Sequence, residues 1–148
     1  MCLKIDDRTY STICALCKSG DEYAERKDFE QAIQNYDRAL ELVPEPFWNY
    51  EASTWILTAI GEAYFFLGDY EKARSALQDT MHCPGAVGNP FVHLRLGQVQ
   101  FELENFSRAG DELARAYMIE GKTIFEDEAD KYFNFLKTLL KNVPEEDQ

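Results

Sequence analysis

The chain has 148 residues, 45% of them hydrophobic and 14% aromatic, which is enough for one domain with a sizeable core and excludes a disordered chain. Fifteen Lys and Arg against twenty-seven Asp and Glu give a net charge of −12, and with no basic stripe to offset it nucleic-acid binding is not expected. No apolar run approaches the ~18 residues of a membrane span, and residues 1–7 carry acids where a signal peptide would need none, so a soluble, cytoplasmic protein without membrane contact is expected.

Taken in order, the chain repeats itself. Gly20, Gly61 and Gly97 are spaced by 41 and then 36 residues, and Ala32, Ala73 and Ala109 keep the same spacing. Tyr36, Leu77 and Leu113 form a third column of large apolar residues. Each unit reads as two helices joined by a tight turn, with Asp28, Asp69 and Asn105 as N-caps of the second helix. Gln31 makes a capping box with Asp28, and Gly68 and Gly121 suit left-handed helix ends. Asn89-Pro90 opens a new helix. The repeats span about 13–46, 54–87 and 90–123, in a single domain over 1–148. A capping helix is expected over about 125–142, with Phe125, Ala129, Tyr132, Phe133, Leu136 and Leu140 on one side, Glu126, Asp127 and Glu128 in its first turn, and Lys137 and Lys141 near its end. Beyond Pro144 a frayed tail is expected. The fold class is all-α, a solenoid of three helix–turn–helix repeats with a C-terminal cap.

Seven additional residues, Phe47 to Ser53, separate the first two units. Seven residues are nearly two helical turns, so the spacing predicts one long helix from about Pro46 to Leu67, with Trp48 and Trp55 on one face. In "AYFFLGDY" three adjacent aromatics, Tyr64, Phe65 and Phe66, sweep about 200° of a helix, too wide for one buried stripe. Tyr64 is assigned to the core, leaving Phe65 and Phe66 for another surface.

The columns resemble those of the tetratricopeptide repeat (TPR) family. Gly20, Tyr23, Ala32, Tyr36, Ala39 and Pro44 carry the best match, while Thr80 and Gln100 depart from the pattern. The stretch from Met81 to Gln98 and the cap are also similar to small stand-alone bacterial TPR proteins, a few of which are immunity partners of toxins. The resemblance implies a concave groove lined by Cys14, Cys17, Asp21 and Glu25, then Trp55, Thr58, Glu62, Phe65 and Phe66, then Phe91, Leu94, Arg95, Gln98, Phe101 and Glu102. Trp48 joins this candidate partner-binding set through the long helix. Of the basic clamp with which some TPR domains hold acidic chaperone tails, only Arg95 remains, against Cys17, Asp21, Ala59 and Phe91 at the other places. A chaperone-tail adaptor is therefore not expected.

No nucleophile–base pair, phosphate loop or metalloprotease motif stands in the chain, so no enzyme and no cofactor are expected. Cys14, Cys17, His82 and Cys83 could form a zinc set on paper, but the first pair lies within a helical pattern and is read as packed thiols. His93 takes the place of a large interhelical residue. The expected function is a protein-interaction module holding an apolar or basic-and-apolar partner segment in an aromatic, acidic groove; the alternative is an immunity protein neutralising a basic toxin. Homodimerisation through the aromatic face is a further arrangement open to the sequence.

Overall fold

A computed structural model describes residues 4–140; Cys2, Lys141, Pro144 and the expected end of the cap lie outside them. The described residues contain seven α-helices and two short 3-10 turns, with no strand. They divide into two compact units, one ending at Val87 and one beginning at Gly88. The first unit holds α1 (Asp7–Glu25), α2 (Phe29–Leu42), α3 (Glu51–Leu67) and α4 (Tyr70–Thr80). The second holds α5 (Pro90–Glu102), α6 (Phe106–Glu120) and α7 (Asp130–Leu139). Helices pack as the hairpins α1–α2, α3–α4 and α5–α6, and α2 also packs on α3.

The repeat columns have a direct mechanical role. A Cβ added to Gly20 would stand 2.6 Å from the ring of Tyr36, one on Gly61 2.6 Å from Leu77 Cγ, and one on Gly97 2.8 Å from Leu113 Cδ2. Each glycine thus leaves room at the helix crossing for the large residue sixteen positions later, and Leu77 and Leu113 are fully buried there. The turns between paired helices repeat as well. Lys27, Gly68 and Glu104 occupy one column and have φ of 64°, 82° and 65°, the left-handed geometry that releases the chain from the first helix.

Caps then start the next helix. Asp28 accepts from the Gln31 N–H and Asp69 from the Lys72 N–H, each at 3.3 Å, and Asn89 accepts from the N–H groups of Phe91 and Val92. Asn105 holds the expected N-cap position, but its side chain does not cap. Its amide donates instead to Gln100 Oε1 at 2.8 Å, back into the preceding helix.

Two expected helices are corrected. The long helix from Pro46 is broken, because Phe47–Asn49 forms a 3-10 turn and Tyr50 is extended at φ −115°, ψ 137°. Tyr50 joins the core cluster with Ile13, Tyr36 and Ile56, and this burial competes successfully with helix continuation. Trp48 consequently sits in the turn, edge-on to Phe47 with centroids 5.3 Å apart, rather than above Trp55 on one helix. The cap helix begins at Asp130, not Phe125. Residues Lys122–Phe125 make a 3-10 turn, the N–H groups of Glu126 and Glu128 bond back to Thr123 and Phe125, and Ala129 is extended before α7.

Gly61→Ala should lower stability despite the better helix propensity of alanine. Overpacking against immobile Leu77 costs about 1–3 kcal/mol, and the propensity gain of about 1 kcal/mol offsets only part of it. A denaturant midpoint equal to or above that of the unmodified protein would contradict the close crossing.

Candidate functional site

In the first unit a furrow runs between α1 and α3. It consists of three adjoining cavities of about 330, 310 and 250 Å3. Trp55 lines the first and second; Asp21, Tyr36 and Ala59 line the second and third. The α1 wall follows from helical spacing: Tyr10, Cys14, Cys17 and Asp21 are separated by four, three and four residues and so share a face. Trp55, Ala59, Glu62 and Phe66 form the α3 wall by the same rule.

Tyr36 of α2 makes the floor. Its ring fills the space above Gly20, and its hydroxyl donates to Asp21 Oδ1 at 2.5 Å. Burial and the Asp21 carboxylate push the Tyr36 phenol strongly upward, so it stays a donor and fixes that carboxylate at mid-furrow. Cys17, nearby, is pushed up to about 12 by burial first and then by Asp21 and Cys14, and is an inert packed thiol. Cys83 is also buried and raised by burial and Asp79, with Sγ bonded to the Asp79 carbonyl. Among the described residues no group of three or more His, Cys, Asp or Glu is placed to hold a metal ion.

The two phenylalanines of "AYFFLGDY" meet edge to face, with centroids 5.4 Å apart, and beyond that contact they have different neighbours. Phe66 is 54% exposed, lines the furrow and stacks on Phe29 with centroids 5.4 Å apart at 22°. Phe65 packs toward Tyr70 with centroids 5.9 Å apart and does not line the three cavities. Thr58 turns its hydroxyl to the Thr54 carbonyl at 2.6 Å. Among the lining residues that the sequence did not mark as such are Tyr10, Phe29, Tyr50 and the carboxylates Asp7 and Glu51. Tyr10 continues the Cys14–Cys17–Asp21 face one turn back, a signal that was present; Phe29 lies beside the Asp28 cap, and Tyr50 was hidden by the helix drawn through it.

The second unit differs. Phe91 is 60% exposed at the start of α5, but Leu94, Arg95 and Gln98 are buried, which corrects the expectation of an open face there. Arg95 Nη1 donates to Gln98 Oε1 at 2.6 Å and to Glu128 Oε1 at 3.0 Å, and Gln98 Nε2 donates to the same Glu128 oxygen at 2.7 Å. The ring of Phe101 packs against Phe106, Tyr132 and Phe135 at 5.2–5.4 Å. Glu102 accepts from Tyr132 Oη and from Lys131 Nζ, each at 2.6 Å. This face of α5 is therefore engaged by the protein's own cap. Burial raises the Glu102 carboxyl, but the bonds from Lys131 and Tyr132 outweigh it and leave it below the ordinary value of 4.5. His93, fully buried as an interhelical residue, has Nδ1 2.6 Å from Glu112 Oε1 of α6, and its Nε2 accepts from the Gly88 N–H at 3.2 Å. That acceptor role assigns the proton to Nδ1, which donates to Glu112.

Helical hairpins carrying equivalent glycines, turns and caps define a helical-hairpin repeat protein. Residues 11–81 match the tetratricopeptide repeat model, and that stretch belongs to the tetratricopeptide repeat family. Among solved structures the chain is similar to the TPR domain of Arabidopsis OM64, with a TM-score of 0.70 at 15% identity over 89% of this chain and 99% of that one. It is similar to the second TPR domain of human RPAP3, solved in complex with the HSP70 peptide SGPTIEEVD, with a TM-score of 0.67 at 15% identity over 90% and 99% of the two chains. It is also similar to the Yersinia enterocolitica type III secretion translocator chaperone SycD, with a TM-score of 0.70 at 12% identity over 90% and 96%. No curated protein sequence matches the chain. Among the described residues, no helix is long and apolar enough to cross a membrane.

The Glu102 contacts set a pH dependence. A carboxyl lowered by folding contributes stability above its unfolded value of about 4.5, and that contribution is lost as pH falls through the lower folded value. Lys131→Ala should therefore lower the melting temperature near pH 6, with a difference from the unmodified protein that shrinks below about pH 4.5. A difference that stays constant from about pH 6 to pH 3 would show that this pair does not titrate with folding.

Proposed function

We propose that the protein is a non-enzymatic interaction module, and that the α1–α3 furrow holds an apolar-and-basic segment of a partner protein. The observation that carries this reading is continuity: three cavities share their walls, so one chain segment could fill them in succession. Trp55 at 40% and Phe66 at 54% exposure stand as aromatic anchors along it, the residue type that dominates protein interfaces. Asp21, Glu25 and Glu62 supply acid along the lower cavity, and the net charge of −12 steers a basic segment toward the protein.

Charge also separates this furrow from the peptide complex of the RPAP3 domain, whose ligand ends in EEVD. Where the basic clamp of such domains would stand, this chain has Cys17, Asp21 and Ala59 in the furrow, and Arg95 is bonded to Gln98 and Glu128. An acidic tail would meet carboxylates here. A basic toxin is one partner of the favoured chemistry, in keeping with an immunity role.

Trp55→Ala combined with Phe66→Ala should weaken partner capture by more than about tenfold, because each deletes an exposed aromatic anchor rather than a core residue. Circular dichroism should show unchanged helix content. The peptide SGPTIEEVD should not bind measurably by calorimetry. Unimpaired capture by the folded double variant, or tight binding of that acidic peptide, would overturn the assignment.

A further inference from the structure

The first cavity of the furrow differs chemically from the other two. Its walls include three aromatic residues, Tyr10, Tyr50 and Trp55, from three positions brought together only by the fold. Two carboxylates, Asp7 and Glu51, line it as well, against one ammonium, Lys4, which is itself exposed. Aromatic rings attract cations through their quadrupole, and carboxylates add direct charge. A cavity combining both selects a flat organic cation over a neutral group of the same shape.

Its construction is rigid where it needs to be. Tyr50 is 8% exposed and held in the core cluster, so the wall it provides is fixed. Tyr10 and Trp55 are 47% and 40% exposed and form the accessible part. Its volume of about 330 Å3 admits a guanidinium on its aliphatic stem. Because Trp55 also lines the next cavity, a cation seated here is continuous with a chain lying along the furrow.

We infer that the cavity bounded by Tyr10, Tyr50, Trp55, Asp7 and Glu51 is a receptor for an arginine side chain of the partner segment. This deepens the furrow reading, on which the source of the arginine rests. Guanidinium suits the site better than ammonium, since its plane stacks on rings while its edge hydrogen-bonds to carboxylate.

The test uses L-argininamide and L-citrullinamide, its counterpart with the same α-amino group but an uncharged side chain, titrated into the full-length protein with ring resonances followed by NMR. Argininamide should shift Tyr10 and Trp55 and bind about fivefold more tightly than citrullinamide, the size of a partly desolvated cation–aromatic contact. Glu51→Gln, an exposed and isosteric change, should remove most of that preference while leaving citrullinamide unaffected. Lys4→Ala should strengthen argininamide binding, as it removes the one like charge in the lining. Equal binding of the two amides, or shifts that bypass Tyr10 and Trp55, would overturn the inference. Loss of capture in the Trp55/Phe66 double variant alongside a negative argininamide result would leave the furrow standing without its arginine pocket. Specific argininamide binding alongside unimpaired capture would reject the furrow while leaving a cation site.

Discussion

The contact on which the structure depends is a glycine in one helix opposed to a large side chain of its partner. Gly20 with Tyr36, Gly61 with Leu77 and Gly97 with Leu113 set the helix crossings at distances a Cβ would not permit. Close approach lets the large residue be fully enclosed, and burial of such a side chain stabilises by about 1.5–3 kcal/mol. In two hairpins the large residue is leucine and the contact is purely structural. In the first it is tyrosine, and the same ring that locks the crossing extends to the furrow and fixes Asp21 through its hydroxyl. Fold and candidate site thus share one residue.

The corresponding faces of the two units are finished differently. On α5 the cap supplies Glu128 to Arg95 and Gln98, and Tyr132 and Lys131 to Glu102, so polar groups that burial would leave without partners are satisfied internally. On α1 and α3 the rings of Tyr10, Trp55 and Phe66 remain substantially exposed, and carboxylates line the cavities between them. An exposed aromatic surface costs solvation, and the net charge of −12 opposes the approach of like-charged surfaces while attracting basic ones. Both properties suit a surface reserved for a basic partner.

Much of this was legible in the chain itself. The glycine and large-residue columns, the Asp28, Asp69 and Asn89 caps and the left-handed Gly68 are local rules, and each acts at the position its spacing indicates. Local rules failed where tertiary burial decided. Tyr50 breaks a helix that periodicity would have continued, because its ring gains more in the core than in a solvent-facing turn. Glu128 looked like a helix-dipole acid and is instead the acceptor for Arg95 and Gln98, thirty or more residues away in sequence. Phe65 and Phe66 could not be separated by helical phase alone; their rings touch edge to face, and Phe29 of α2 and Tyr70 of α4 give each a different second neighbour. Left-handed Lys27 and Glu104 carried no glycine to mark them.

The central claim is that the α1–α3 furrow is the binding surface, and Cys14 offers a direct report on it. It is exposed within the furrow, whereas Cys17 and Cys83 are buried. A photo-crosslinker attached to Cys14 in a Cys2→Ser background should bond to a bound apolar-and-arginine peptide, while the same reagent at Arg38→Cys, exposed on α2, in a Cys2→Ser, Cys14→Ser background should not. Crosslinking from Arg38→Cys with none from Cys14 would contradict the account.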